Sequence, residues 1–353
     1  MAARAPVAER VMATATLPAH WYTDPTIAEQ ERHAIFAGNW ALFGPEHEIA
    51  EPGAYVAQVI NGWPLVVLRD HGGALRAFHN VCRHRAAALL GDGAGTCSRR
   101  ITCPYHGWAY ELDGRLHLAP RFGEDLDADE NGLLTVRVEI WRSCVFVCID
   151  DSAPDLTTWL GSIPAFCADY PETDDLDFHG GFTVEGRANW KTYCDNTVEG
   201  YHLPFVHARL SRAVEGASVE IKGHDDGRLT CFHVSYRGDG AALRGNTGLW
   251  FYRYPGFQAV IGPTGFKAER IEPVGARDLR SKSWAWYARV MSPEEAADSF
   301  AWAESIVQED LGICETVQRN LEAGAYTNGL LSPAMEQHTA TFQALVRQDL
   351  QAT

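Results

Sequence analysis

Short apolar or alternating runs, broken by Gly, Pro and Asp turns, fill the chain from residue 39 to 149. Tyr55–Ile60, Pro64–Arg69 and Leu75–Phe78 have the composition and period of strands, and Asp70-His71-Gly72-Gly73 reads as the turn between the last two. Asn39–Gly44 opens this region, and Cys144–Ile149 is expected to close it as a last strand of an antiparallel β domain. Ahead of it, the spacing predicts a helix from Asp24 to Phe36, capped by Asp24 or Thr26 with Glu in its first turns. Residues 1–16 show no period and are expected to be disordered or loosely attached.

The pattern changes near Asp151. The first part of the stretch Asn189–His207 has helical spacing, and Pro204 is expected to end or bend that helix. Residues 215–290 return to β patterning, with Thr230–Tyr236 and Ser283–Val290 as strands. Trp250, Phe251, Tyr252, Tyr254 and Phe257 form an aromatic run, expected to be mostly core with one or two members lining a pocket. A final helix is predicted from Pro293 to Gln318. The fold class is therefore α+β, with an antiparallel β domain followed by a domain of antiparallel sheet and helices.

Two stretches carry chemistry. The first is Cys82-Arg83-His84, followed after an 18-residue gap by Cys103-Pro104-Tyr105-His106. Two thiolates and two imidazoles can hold one zinc, or a [2Fe–2S] cluster with Cys on one iron and His on the other. A Cys₂His₂ finger separates its Cys pair from its His pair. Here each pair is mixed, so each loop can supply one ligand to each iron, and the cluster is the better reading. Gly91-Asp92-Gly93-Ala94-Gly95 lies between the pairs and opens no helical pattern, so it reads as a flexible connector rather than a nucleotide loop. The second stretch runs from Asn189-Trp190-Lys191 to Glu199-Gly200-Tyr201-His202 and His207. Five positions apart, His202 and His207 would not share a face of an unbroken helix. With the helix broken at Pro204 they can converge, and two His plus one carboxylate form the facial triad of non-haem Fe(II).

Composition narrows the function. The formal net charge of −16 argues against a nucleic-acid partner, which needs clustered Lys and Arg. No run of 18 apolar residues suggests a membrane span, and the N-terminus lacks the apolar core of a signal peptide. Nine cysteines without a framework spacing suggest reduced thiols in a cytoplasmic enzyme.

The segments Asn80–Arg85 and Cys103–Trp108 match the signature of the Rieske non-haem iron oxygenases, and the chain resembles the large subunit of that family from about Leu17 to its C-terminus. The resemblance implies a segment with a helix (1–37) packed on the catalytic domain, a Rieske domain (38–150), and a helix-grip-like catalytic domain (151–353). It implies Cys82, His84, Cys103 and His106 as cluster ligands and His202, His207 and a late-helix carboxylate on Fe(II). Family position places that carboxylate at Asp310, although Glu309 is a rival on sequence alone and otherwise reads as a solvated acid. Glu199 and Asn196 are the candidate catalytic residues. Glu199 is implied to bridge His106 of one subunit and His202 of the next in a head-to-tail homotrimer.

The implied activity is that of a terminal oxygenase. Electrons come from NAD(P)H through a separate flavin/iron–sulfur reductase, with or without a ferredoxin, because the chain carries no flavin or nicotinamide motif. The short catalytic domain suggests an oxygenase without a small β subunit. The expected Gly near Ser143 and Asn near Cys148 are absent, which reads as a packing variation. Glu199 where many relatives carry Asp, with the pattern Gln308–Arg319, resembles the subgroup acting on quaternary ammonium compounds, by C–H monooxygenation or N-demethylation. Aromatic ring hydroxylation or O-demethylation is the alternative, and an electron carrier without oxygenase activity the distant one.

Overall fold

The computed structural model describes residues 13–123, 126–173, 175–215, 219–238, 240 and 245–352. The fold is α+β, as the pattern predicts. Ala54–Ile60, Trp63–Arg69 and Leu75–His79 pair antiparallel. Trp63–Arg69 is apolar without alternation because it is buried on both faces. Leu65 and Val67 enter a core with Phe43 and Val145, whereas Val66 and Leu68 enter a core with Cys82, Cys103 and Trp108.

Gly93–Thr96 is not a loose connector. It is a fourth strand, paired with Ala54–Ala57. Gly95 has a steric cause: a Cβ there would lie 2.5 Å from the Tyr55 hydroxyl. The expected closing strand, Cys144–Cys148, lies between Arg137–Trp141 and Ala41–Pro45, so the two ends of the β region meet in one sheet. The hairpin turns at Arg142 and Ser143, both at positive φ (48° and 59°), where a glycine costs less. Arg142 compensates by donating Nη1 to the Thr173 carbonyl and hydroxyl at 2.9 and 3.0 Å.

The second half is built on a seven-stranded antiparallel sheet. Its order across the sheet is Asp177–Gly186, Leu279–Tyr287, Gly265–Pro273, Phe257–Gly262, Thr247–Arg253, Leu229–Ser235 and Glu220–His224. One face packs on the first domain, where Trp40, Leu42 and Phe146 join Phe251, Phe257, Ala268 and Trp284 in one core. Arg270 Nη1 fixes this contact by donating to the Leu42 and Phe43 carbonyls at 2.6 and 3.1 Å. The other face carries the helix Trp190–Thr197 and the 30-residue helix Pro293–Glu322. Ser292 and Glu295 start the long helix as a reciprocal capping box. It runs four residues beyond the expected end at Gln318.

The amino-terminal expectation needs correction. Thr14–Ala15 pairs with Leu330–Leu331, and the buried Leu17 donates its N–H to Gln343 Oε1 at 2.8 Å. Residues 13–16 are thus tied down, while residues 1–12 lie outside the described residues. The predicted early helix is present: Asp24 caps Pro25–Glu31 by accepting from the Thr26 N–H, and wider turns continue to Phe36. Gln343 belongs to a last helix, Gln337–Gln351, that the pattern did not suggest. No described helix is long and apolar enough to cross a membrane.

Candidate metal centres

The two cysteine loops are built alike. Cys82 donates its N–H to the Ala87 carbonyl and accepts from the Ala86 N–H; Cys103 donates to the Trp108 carbonyl and accepts from the Gly107 N–H. Ala86 and Gly107 close the two turns at positive φ (56° and 74°). The second loop caps the hairpin of Ile101–Thr102 with Ala109–Tyr110, and the first follows Leu75–His79. Both thiols are buried, while His84 is half-buried and His106 exposed. The imidazoles of His84 and His106 meet edge to face at 4.8 Å, and Trp108 stacks on His84 at 5.1 Å. The Tyr110 hydroxyl lies 3.4 Å from Cys82 Sγ and accepts from the Arg83 N–H at 3.1 Å. Such contacts to ligand sulfur tune a cluster's potential.

The geometry bears on zinc against cluster. A tetrahedral ion would draw all four ligands to one point. Among the described residues only His202, His207 and Asp310 place three ligand atoms within 4.8 Å of one another. In the Cys82, His84, Cys103 and His106 set the two thiols are buried together while the two imidazoles meet on the outer side, which suits one iron held by thiolates and one by imidazoles.

The second centre starts at Asn189, which caps the helix Trp190–Thr197 by accepting from the Lys191 N–H at 3.0 Å. Lys191 is buried and donates to Glu31 Oε1 at 2.5 Å, and Trp190 Nε1 donates to Glu31 Oε2 at 2.8 Å, locking this helix to the early one. The helix ends at Thr197, well before Pro204, contrary to the sequence reading. Glu199 explains the early break. Its buried carboxylate accepts the backbone N–H groups of Tyr201 and His202, an arrangement an unbroken helix would forbid. Pro204 instead sits in the first turn of a short helix, Leu203–Val206, bracketed by His202 and His207.

That break brings the imidazoles together. His202 Nε2 and His207 Nε2 lie 3.4 and 2.9 Å from Asp310 Oδ1. Each Nδ1 faces a carboxylate, Glu199 Oε1 at 2.6 Å for His202 and Glu309 Oε2 at 2.7 Å for His207. A proton held on Nδ1 leaves the Nε2 lone pair for a metal, the usual arrangement of metal-bound imidazole. Asn196 Nδ2 donates to Asp310 Oδ1 at 2.6 Å and orients the third ligand atom. Without a metal these groups share protons. Burial lowers the His202 pKa, but Asp310 and Glu199 outweigh it and raise it to about 9. His207 is raised in the same way by Asp310 and Glu309 against the pull of burial. Burial would raise Asp310, yet the two histidines hold it below the ordinary carboxylate range. Two imidazole nitrogens and one carboxylate oxygen, with these supports, suit Fe(II).

Of the rival acids, Asp310 therefore faces both imidazoles and Glu309 stands behind one. Glu309 is 42% exposed but is no mere solvated acid, because it holds His207. The spacing gave no sign of this support role. Nor did it reveal Lys267 and Gln258, which line the cavity of about 80 Å³ at the triad together with Phe232, Trp250 and Val260.

Comparison with known proteins agrees with this geometry. Residues 39–138 match the Rieske [2Fe–2S] domain, and residues 173–352 match the ring-hydroxylating alpha subunit catalytic domain. The chain is 30% identical to the carnitine monooxygenase oxygenase subunit of Escherichia coli K12 over 325 residues, covering 88% of this chain and 85% of that one. It is 29% identical to the chloroplastic choline monooxygenase of Amaranthus tricolor over 348 residues, covering 95% of this chain and 78% of the other. Among solved structures, a quaternary ammonium Rieske monooxygenase in complex with L-carnitine superposes with a TM-score of 0.82 at 27% identity, covering 96% of each chain. The loops that cradle the cluster and the helices that gather the triad are thus those of a known enzyme family, and the chain belongs to the Rieske non-haem iron oxygenases.

Proposed function

We propose that this terminal oxygenase oxidises a C–H bond next to the nitrogen of a quaternary ammonium compound. The observation that carries the reading is the aromatic wall beside the triad. Phe232 and Trp250 are directly paired across neighbouring strands, with ring centroids 5.8 Å apart, and both line the triad cavity. Aromatic faces attract a desolvated ammonium by about 2 kcal/mol. Leu203, Leu210, Val260 and Ile306 supply the apolar remainder that excludes water. The names of the carnitine and choline relatives point the same way.

Fe(II) bound by His202, His207 and Asp310 would supply O₂ activation, with electrons from the Rieske cluster. Around it, Glu199 and Glu309 keep protons on the distal imidazole nitrogens, and Asn196 fixes Asp310. One oxygen atom enters the carbon attached to nitrogen, and the other leaves as water with two electrons and two protons. Attack on a methyl releases formaldehyde, and attack on the chain carbon releases trimethylamine.

We further propose the head-to-tail assembly, a homotrimer in which Glu199 links one subunit's His202 to the neighbour's His106. The cluster tip exposes Arg83, Arg85 and Tyr105, whereas a cavity of about 460 Å³ beside Glu199 is lined by the acids Asp195 and Glu336. A basic tip and a cavity on a different face suit a heterologous contact, which closes into a ring. A separate NAD(P)H reductase completes the system. None of the nine cysteines is joined in a disulfide, which supports a reducing compartment, the cytoplasm. The pairing of Ala41–Pro45 with Cys144–Cys148 supports domain divisions after residues 37 and 150.

The test is O₂ uptake by the reconstituted protein with a surrogate reductase and NADH. Carnitine, γ-butyrobetaine, glycine betaine, choline, methoxyarenes and benzoates are the substrates to compare. Uptake coupled to formaldehyde or trimethylamine from the N-methyl cations is expected. Uptake with the aromatic compounds alone would overturn the substrate reading.

A further inference from the structure

We infer that Lys267 is a carboxylate-recognition residue, so that the substrate is a zwitterion carrying both a quaternary ammonium and a carboxylate. This rests on the quaternary-ammonium reading above and narrows it. One cross-strand row carries the argument. Phe232 pairs with Trp250, Trp250 with Val260, and Val260 with Lys267, each on the next strand of the catalytic sheet. All four line the triad cavity. The row begins with aromatic faces and ends with a cation, and neighbouring strands are about 4.8 Å apart. Trp250 and Lys267 are therefore about 10 Å apart at the backbone, within the span of a short betaine and a lysine side chain.

Lys267 is the one Lys or Arg among the lining residues of this cavity, and the position is costly for a lysine. It is 14% exposed and donates to Glu269 Oε2 at 2.9 Å. Glu269 is fully buried and is held from behind, with Tyr193 and Ser281 hydroxyls on Oε1 at 3.2 and 2.7 Å. The glutamate thus pins the ammonium through one hydrogen bond, and an ammonium has three donors. Gln258, on the strand beside Lys267, adds a side-chain amide to the same wall.

The position along the cavity also fits. Lys267, Val260 and Ala303 line the triad cavity and also a neighbouring one of about 40 Å³ bounded by Tyr236 and Tyr287, so Lys267 stands at the neck between them. Ala303 precedes Asp310 by seven residues on one helix, about 10 Å along its axis. A zwitterion with its carboxylate at the neck directs its N-methyl end toward the triad. Choline has no carboxylate to place there.

The test compares kcat/KM for γ-butyrobetaine, carnitine and glycine betaine with that for choline, in the wild type and in Lys267→Met. The wild type is expected to prefer the carboxylates. In Lys267→Met the betaine-to-choline ratio should fall roughly 10- to 100-fold, the range of a hydrogen bond to a charged group, mainly through KM. Because Lys267→Met strands Glu269, the double variant Lys267→Met/Glu269→Gln removes both charges and should show the same fall. Cluster absorbance and iron content check that each variant is folded. Equal losses for betaines and choline, or a wild-type preference for choline, would overturn the inference. Failure of the wild type to oxidise any quaternary ammonium would sink the parent reading and this one together, and it is visible before any variant is made.

Discussion

Glu309→Ala probes the support of the triad. Glu309 Oε2 lies 2.7 Å from His207 Nδ1, and His207 Nε2 points at Asp310 Oδ1 from 2.9 Å. His207 is buried, so removing Glu309 takes away the acceptor that keeps its proton on Nδ1. Loss of such a supporting partner costs about 10- to 100-fold in metal affinity, or about 1.4–2.7 kcal/mol at tenfold per 1.36 kcal/mol. The charge itself contributes less. Glu309 is 42% exposed, and a screened pair of this kind is worth about 0.2–1 kcal/mol. Glu309→Gln keeps an acceptor oxygen and should lose only about 1.5- to 5-fold on that scale. The assay is Fe(II) titration of protein stripped of its mononuclear iron, with bound iron normalised to cluster absorbance. Wild-type affinity in Glu309→Ala would refute the reasoning. So would a Glu309→Gln defect as large as that of Glu309→Ala, because it would make the charge, or direct ligation, the essential feature.

Other consequences can be measured separately. Lys191→Met leaves the buried Glu31 carboxylate without its cation and should cost about 3–5 kcal/mol in chemical denaturation; Glu31→Gln/Lys191→Met should recover most of it, and equal losses in both would contradict the pairing account. Fe(II) must displace a proton from His202, whose pKa is raised to about 9, so iron affinity should fall up to about tenfold per pH unit below pH 9. The metal-free site has the opposite sign: its stabilisation is complete below about pH 6.5, the ordinary His value, and is lost as pH rises through about 9. Apo-protein should therefore melt higher at pH 6 than at pH 9, with the trend reversed for iron-loaded protein; parallel trends would disprove the proton sharing. Glu199→Gln should retain both metal centres but slow reoxidation of the reduced cluster by O₂ with substrate, read by stopped-flow absorbance; wild-type reoxidation would remove Glu199 from the electron route.

Much of the molecule was legible because its chemistry is local. The mixed Cys/His pairs and the pair His202 and His207 announce metal sites at short spacing, and the strands up to His79 follow from period and turn residues. What escaped depended on distant neighbours. Gly93–Thr96 has no strand pattern, and at Gly95 the reason is Tyr55, which leaves no room for a side chain there. The helix break was assigned to Pro204, but it is set by the Glu199 carboxylate binding the Tyr201 and His202 N–H groups. Thr14–Ala15 carries no signal of its own and is ordered by Leu330–Leu331, more than 300 residues away. Lys267 and Glu269 alternate with Phe266 and Ala268, and only the fold shows that Lys267 lines the site while Glu269 is buried beside it. Glu309 looked solvated because only the fold shows that His207 turns its Nδ1 toward it.

The iron content of Asp310→Ala beside that of wild type and Glu309→Gln tests the triad most directly. The wild type should hold three irons and two sulfides per chain. Asp310→Ala should hold two irons with an unchanged cluster spectrum and no turnover, while Glu309→Gln keeps the third iron. A third iron retained by Asp310→Ala, or lost from Glu309→Gln at saturating Fe(II), would contradict the assignment of Asp310 as the carboxylate ligand.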